Sequence, residues 1–507
     1  MSKIFQFINY NDIVNQLGRL NVEQRMTDEQ FIVAEINRFR RSKRFYDMVA
    51  GDNYYSGKHD ILHKKRTAIG DDGKLTVIEN LPNNKIVDNQ YKKMVIQKTN
   101  YLVGQPFVLQ SENHAYVEAL KPYIQSKKFL KLLKELAKDA LNGGIGWVYP
   151  NYDEDGEFVL KRFKPYEILP MWKDAEHTIL ESAIRIYEVI EYEGKTEKVV
   201  SKVEVFDPVG IYYFELSNGN LIPEEPFYQP YFTVTDHDGK AQGFNWDRIP
   251  LIPFKYNAEE VPLITMCKSL QDGLNKIESQ WEDQMEEDPR NTIMVLVNYD
   301  GQNLGEFRRN LAQYGAVKVR SMDGNHGDVK TLQIQVNAEN YKAIIEQFKK
   351  AIVENCMGYD AKDDRIGSNA NEMNLKSMYS DIELDTNGME TEFQAAFEDL
   401  LWFLNCHLAN THVGDFEGED VEIIFNRDIM INESEVITNI KNSVGILSDE
   451  TLVAQHPWVD DPDDEQKRLK KQKEEEVDLY GDFGRNPNNT EDNPKNKGNE
   501  ADESDEE

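Results

Sequence analysis

The densest potential chemistry in this chain lies in one short stretch, Tyr359-Asp360-Ala-Lys362-Asp363-Asp364-Arg365, bounded by Gly358 and Gly367. Asp360, Asp363 and Asp364 could hold magnesium in a DNA-processing enzyme. Such sites need carboxylates fixed on a rigid scaffold, and these lie between glycines in a loop. His59 and His63 are four apart and could face one way on a helix. No Glu follows His59, so the zinc-protease pattern is missing and an ordinary surface pair is expected. Asn151-x-Asp153-x-Asp155-Gly156 matches the front of a calcium loop, but its twelfth position is Arg162 where a bidentate Glu is required. A hairpin turn is the expectation there. Gly70-Asp-Asp-Gly73-Lys74-Leu-Thr76 has the wrong gap for a phosphate loop and no hydroxyl directly after the lysine. Asp460-Asp461-Pro-Asp463-Asp464-Glu465 reads either as loose cation attraction or as a helix start whose acids suit the dipole. No Ser/His/Asp order or GxSxG elbow occurs. Cys267, Cys356 and Cys406 form no CxxC pair and no disulfide framework, in keeping with a reducing compartment. No catalytic residue, metal site or cofactor is expected, and the chain does not read as an enzyme.

The acidic stretch sits inside a helix–insert–helix order. After Pro262, Leu263, Cys267, Leu270, Leu274, Ile277, Trp281 and Met285 form a near-heptad stripe on a long helix that Pro289 stops. An insert follows from Ile293 to Ile334, with the apolar run Ile293–Val297, a short helix over 304–314 and a strand over 316–320. A second helix starts at the N-cap Asn337 and turns Tyr341, Ile344, Ile345, Phe348 and Ile352 to one face. The run from Gly358 to Gly367 breaks it, and a longer helical region covers 370–409. Upstream, 27–49 reads as one amphipathic helix, and Ile86, Tyr91, Val95, Thr99 and Leu102 as another that Gly104 and Pro106 end. A helix over 129–142 closes at Gly143-Gly144, after which 145–253 changes to short β segments with turns between them. A strand over 421–425 and helical sequence over 433–479 complete the pattern, with no solenoid repeat. One copy would leave the two apolar stripes poorly covered, which favours a ring or bundle of subunits.

At 507 residues the chain suggests about three structural units. Its 58 Lys and Arg against 91 Asp and Glu give a formal charge of −33, which excludes the usual basic footprint of a sequence-reading DNA binder. The charge is uneven. Residues 1–150 hold 23 basic and 16 acidic side chains, and the remainder 35 and 75. The basic clusters Arg38-Phe-Arg40-Arg41-Ser-Lys43-Arg44 and His63-Lys64-Lys65-Arg66 read either as solvated faces or as contacts to nucleic acid or an acidic neighbour. No run approaches the ~20 apolar residues of a membrane span, and MSKIFQFINYNDIVNQ lacks a signal peptide's apolar run. From Arg485 to Glu507 there are three basic and eight acidic residues and nothing aliphatic larger than Ala, so disorder is expected.

Four groups of residues resemble the portal proteins of tailed bacteriophages, in the SPP1-type family. The first is Tyr54-Tyr55-x-Gly57-x-His59-x-Ile61-Leu62 with Asn80-Leu-Pro-Asn83-Asn84-Lys85-Ile86-Val87; the second is Val95-x-x-Lys98-Thr99-x-Tyr101-Leu102-x-Gly104-Gln105-Pro106. The third is Ile249-Pro-Leu-Ile-Pro253-Phe254-x-x-Asn257 leading to Leu270-Gln-Asp272-Gly-Leu-Asn275-x-x-x-Ser279. The fourth joins Phe425-Asn426-Arg427-Asp428 to Gly445-Ile446-Leu447-Ser448 and Pro457-x-Val459-Asp460-Asp461-Pro462. Together they span about residues 45–480. One departure is Gly367-Ser-Asn-Ala370-Asn-Glu-Met-Asn-Leu375, where such portals often show a Ser-Gly-x-Ala-Leu-like helix start.

The resemblance implies an α+β portal fold: an α/β wing, long stem helices, a small α/β clip and a helical crown, assembled as a ring. It divides the chain into wing 1–262, stem helix 263–289, clip 290–336, stem helix 337–356, tunnel loop 357–371, long wing helix and strand 372–429, crown 430–482 and acidic tail 483–507. It further implies a homododecamer at one capsid vertex of the virion, assembled in the host bacterial cytoplasm. Double-stranded DNA passes through without sequence specificity, driven by a separate terminase. Implied partners are the terminase large subunit, head-completion or adaptor protein, and major capsid and scaffolding proteins, with no membrane. Tyr359, Asp360, Lys362, Asp363, Asp364 and Arg365 are the expected DNA-facing loop residues, touching phosphates weakly because acids accompany the bases. Arg308, Arg309, Lys318 and Arg320 are the expected clip docking residues. Leu270, Leu274, Ile277, Trp281, Ile345, Phe348 and Ile352 are the expected stem packing residues. The competing readings are a metal-dependent DNA-processing enzyme and a monomeric capsid scaffold.

Overall fold

The structure, a computed structural model, describes residues 28–69, 73–78, 81–235, 240–287, 293–297, 321–322, 325–326, 328–332, 338–360, 372–427, 433–459 and 461–481. It falls into two compact units, Met1–Ile429 and Met430–Glu507.

The first unit opens with α1 (Asp28–Arg40) and α2 (Lys43–Tyr55). The sequence suggested one helix here, but Ser42 takes extended backbone (φ −75°, ψ 150°) and its hydroxyl accepts from the Phe45 amide at 3.2 Å. A serine that can cap is a poor interior residue, so the helix breaks and restarts. A small ladder of β1 (Thr67–Ile69) and β2 (Leu75–Val77) follows. Next comes α3 (Gln90–Val103), whose N-cap Asn89 accepts from the Lys92 amide at 2.8 Å. Ile86 therefore precedes this helix and does not belong to it. Beyond β3 (Val108–Gln110) lie α4 (His114–Ile124) and α5 (Lys127–Gly143). α5 buries Phe129, Leu133, Leu136, Ala137, Ala140 and Leu141, the helical period of an amphipathic segment. Gly144 ends it at φ +78°, where a Cβ would meet the Glu260 carbonyl at 2.1 Å; only glycine serves both needs.

The β-rich part holds β4 (Ile145–Tyr152), β5 (Phe158–Phe163), β6 (Ile168–Trp172), β7 (Leu180–Glu193), β8 (Thr196–Asp207), β9 (Gly210–Ser217), β10 (Asn220–Gln229), β11 (Phe232–Thr235), β12 (Ala241–Phe244) and β13 (Ile252–Lys255). Strands β6 to β10 form an antiparallel meander, and β13-β4-β5 a second antiparallel sheet. The turn between β4 and β5 is the one expected at Asp153, whose carboxylate accepts from the Asp155 and Glu157 amides. It is a hairpin and not a calcium loop.

Then comes α6 (Ile264–Glu287), followed by β14 (Ile293–Val297), β15 (Ser321–Met322), β16 (Asn325–His326) and β17 (Asp328–Leu332). β14 pairs antiparallel with β17, and β15 with β16. The helix and strand expected over 304–320 lie outside the described residues, as does the tail from Arg485. α7 (Ala338–Asn355) returns, and α8 (Glu372–Asn410) runs 39 residues. Met389, Phe393, Phe397, Leu400, Leu404 and Leu408 of α8 are buried in the same core as β13 and α5. β18 (Glu422–Ile424) closes the unit against β3.

The second unit holds α9 (Glu433–Ser443), α10 (Asp449–Ala454) and α11 (Pro462–Gly481). Ser448 caps α10 through the Thr451 amide, and Asp461 accepts from the Asp463 and Asp464 amides. The acidic run at 461–465 is thus a helix start.

Where α2 crosses α5, a Cβ on Gly51 would lie 2.0 Å from the Asn142 carbonyl oxygen. Backbone cannot yield as a side-chain tip can. Gly51→Ala should lower stability by about 1–3 kcal/mol, the usual cost of overpacking, read as a lower denaturant midpoint.

Candidate functional site

The two helices that flank the insert pack along their apolar stripes. Leu274, Ile345 and Ile352 are buried, while Leu270, Ile277, Trp281 and Phe348 pack half-buried against the same core. Gly273 permits this closeness: a Cβ there would come within 2.9 Å of the Phe348 ring. Trp281 and Tyr341 stack with centroids 6.0 Å apart. All seven stem packing residues predicted from sequence thus meet neighbours within one chain.

The opposite face of α6 is polar and buried, which the apolar stripe did not announce. Gln271, Asn275 and Ser279 are fully buried and Asp283 nearly so. They recur every four residues beside residues 84–91. The Asn84 amide donates to Asp283 Oδ1 at 2.6 Å and the Ile86 amide to Ser279 Oγ at 2.9 Å. The Asp88 amide donates to Asn275 Oδ1 at 3.1 Å and the Tyr91 amide to Gln271 Oε1 at 3.0 Å. One helical step of four residues advances about 6 Å, and two residues of extended chain about 6.6 Å. The two repeats match from Asn84 to Asp88, so side chains of one helix take the place of a strand partner, and the last step, to Tyr91, spans three residues and enters α3.

His59 joins this ladder and is not half of a surface pair. It is fully buried, and Asn275 Nδ2 donates to its Nδ1 at 2.8 Å while its Nε2 bonds the Tyr54 carbonyl at 3.0 Å. Burial pushes the imidazole pKa down, and the neutral ring with its proton on Nε2 satisfies both partners. Tyr54 donates to Asp272, and Lys268 reaches Tyr54 Oη, Asp60 and Asp272 at 3.0, 2.6 and 2.8 Å. Burial opposes the Lys268 charge, but Asp272 and Asp60 hold its pKa above the usual range. Lys64 pairs with Asp283 at 2.8 Å and Arg66 donates to the Pro82 carbonyl, so this basic cluster is spent partly inside the protein. Lys349 of α7 reaches Asp88 at 2.6 Å and Glu278 at 3.4 Å.

At the far end of α7 the chain enters the glycine-bounded stretch. Its first residues are fastened to α3. Lys98 Nζ donates to the Met357 carbonyl at 3.2 Å and Gln97 Nε2 to the Tyr359 carbonyl at 2.9 Å. Lys98 is fully buried and pairs with Asp385 of α8, to which Tyr256 also donates. Burial pushes the Lys98 pKa down, against the pull of Asp385. A Cβ on Gly358 would strike Met94 Sδ at 2.6 Å. The Tyr359 ring packs 4.8 Å from Tyr379, and Asp360 is the last described residue before 372. Lys362, Asp363, Asp364 and Arg365 lie outside the described residues, as do Arg308, Arg309, Lys318 and Arg320. Near the end of the unit, Arg427 pairs with Glu390 and Asn426 Nδ2 donates to the Pro106 carbonyl at 2.7 Å.

Asn275→Ala leaves the Asp88 amide and a His59 nitrogen unpaired, each worth roughly 1–3 kcal/mol, whereas Ser279→Ala frees the Ile86 amide alone. Asn275→Ala should therefore be the more destabilising, and hydrogen exchange should speed first at residues 86–91. Lys98→Met strands Asp385 and should cost about 3–5 kcal/mol, with lost protection at 357–360.

The family described as phage portal protein, SPP1 Gp6-like, matches residues 40–479. The portal protein of Bacillus phage SPP1 is 29% identical over 443 residues, covering 86% of this chain and 85% of that one. The portal protein of Clostridium phage phiCD119 is 25% identical over 434 residues, covering 84% and 92%. Among solved structures, a chain from the neck of an empty GTA particle aligns with TM-score 0.40 and 13% identity over 72% of this chain and 88% of that one. A chain from the native GTA particle neck computed with C12 symmetry gives 0.37 and 14% over 73% and 89%. The matched span takes in α6, α7, α8 and all the ladder residues, and the chain belongs to the SPP1-type family of phage portal proteins.

Proposed function

We propose that this portal protein assembles as a ring, dodecameric in the virion, at one capsid vertex. Double-stranded DNA passes through the ring under the drive of a separate terminase ATPase, is retained and is later ejected. The protein is a structural conduit, not a catalyst. The family match across residues 40–479 carries this reading. The insert between α6 and α7, with Arg308, Arg309, Lys318 and Arg320, is the docking platform for the terminase large subunit and head-completion proteins. Residues 357–371 form the loop that meets DNA, and residues 430–482 the crown. Major capsid and scaffolding proteins surround the ring.

The charge suits a conduit better than a clamp. Twelve copies at −33 each give a ring on the order of −400 formally, which polyanionic DNA passes without adhering. In the loop, Asp360, Asp363 and Asp364 outnumber Lys362 and Arg365, so each phosphate contact is brief. A lysine-rich loop would hold on.

Replacing Asp363 and Asp364 together by Lys should reduce packaged DNA by roughly tenfold or more, since each added phosphate contact increases retention. Rings should remain intact by electron microscopy and light scattering. Normal packaging in the double variant removes these two positions from the mechanism, and a monomeric wild-type protein overturns the ring.

A further inference from the structure

α5 presents a second face that the conduit does not use. Lys127, Lys131, Lys134 and Lys138 lie at intervals of 4, 3 and 4 and line one side of a cavity of about 510 Å³. Eleven residues of helix set these four cations along about 16 Å. Lys127 and Lys131 are exposed, and neither pairs with an acidic side chain among the described residues. Lys134 donates to the Gly104 carbonyl at 3.1 Å and Lys138 pairs with Glu135 at 2.8 Å. Apart from Glu135, the remaining lining is apolar or uncharged: Ile96, Leu130, Tyr55, Thr99 and Asn100. Ile96 is 39% exposed although it sits on a helix whose other apolar residues are buried. The Thr99 hydroxyl is buried and has no hydrogen-bond partner among the described residues.

The geometry points to a docking groove for an acidic amphipathic segment of a partner protein. Carboxylates at helical spacing meet the lysine row, and an aliphatic side chain covers Ile96 and Leu130. Charge complementarity selects an acidic partner, because four lysines face a single glutamate in the lining. The apolar floor and the cavity size select a peptide over nucleic acid. A phosphodiester backbone brings nothing aliphatic to bury, and a duplex is far wider than this cavity. The lysines steer and align, while the floor supplies the contact that salt does not screen.

The test uses the full-length assembled protein and three fluorescent probes. These are a helical peptide of about 14 residues, long enough for the lysine row, with Glu at i and i+4 and Leu between, its Gln-for-Glu counterpart, and a double-stranded oligonucleotide. The Glu peptide should bind, more weakly at higher salt, and the Gln peptide should lose most of that affinity. Lys127→Gln with Lys131→Gln should weaken the Glu peptide by about tenfold, or 1.4 kcal/mol. Ile96→Asp should weaken it further, with an unchanged thermal midpoint and unchanged ring. No binding of the Glu peptide, equal binding by these variants, or binding of the oligonucleotide alone through these lysines each overturns the proposal. None of these readouts requires DNA packaging, so failure here leaves the conduit reading standing, and the reverse also holds.

Discussion

Residues 82–89 run along α6 without helix or strand, half-buried except for the exposed Lys85, and amides shielded from water are costly to leave without partners. Side chains on one face of α6 solve this, because Gln271, Asn275, Ser279 and Asp283 receive the amides of Tyr91, Asp88, Ile86 and Asn84. Much else depends on that register. It fixes the start of α3, which carries Lys98 and Gln97 to the root of the glycine-bounded loop. It also fixes Asp88, which with Glu278 holds Lys349 of α7. A slip of one residue along α6 would turn the four acceptors away by about 100° and free every group they serve. The opposite, apolar stripe has no comparable register, since hydrophobic contact is non-directional.

The basic excess before residue 151 has several local uses. Arg44 pairs with Glu260 at 2.5 Å, Arg38 with Glu35, and Lys64 with Asp283. Lys98 is enclosed at the meeting of α3, α8 and β13. Part of what looks like surface charge in the sequence is therefore drawn inward: Lys98 is fully buried and Lys64 and Arg44 partly so, while Arg38 stays exposed. A buried pair of this kind is weak evidence for stability, because desolvation offsets most of the attraction. Its value is positional, since removing one partner leaves the other uncompensated. The lysines of α5 are different in kind, because Lys127 and Lys131 have no acidic partner among the described residues.

The elements with strong periodicity were legible in the sequence. The stripes of α6 and α7, the closure of α5 at Gly143-Gly144 and the Asp153 turn follow from spacing and turn chemistry alone. The break at Ser42 was hidden because the apolar spacing of α1 continues into α2, and only the hydroxyl marks the restart. His59 was misread for a different reason. Its burial depends on Asn275, more than two hundred residues away, and no local pattern reports such a contact. The ladder does carry a signal in the sequence: four residues of hydrogen-bonding type, Gln271, Asn275, Ser279 and Asp283, recur every four positions beside an apolar stripe. What that signal lacked was its partner, a stretch of plain backbone, which carries no residue code.

α8 begins at Glu372, just beyond the glycine-bounded stretch, and its 39 residues make a rod of about 58 Å. Asp385, held by Lys98 and Tyr256, lies thirteen residues in, about 20 Å from the start. Beyond it Phe393, Phe397 and Leu400 are locked in the core. A beam clamped this way is a cantilever. Force applied at Glu372 is resisted first where Met378, Tyr379 and Ile382 pack with Tyr101, and then at the ion pair. Just past the clamp Thr386 hydrogen-bonds back to the Ile382 carbonyl and a Cβ on Gly388 would meet nothing within 4 Å. The backbone freedom of glycine therefore lets the rod bend there more readily than at a residue with a side chain.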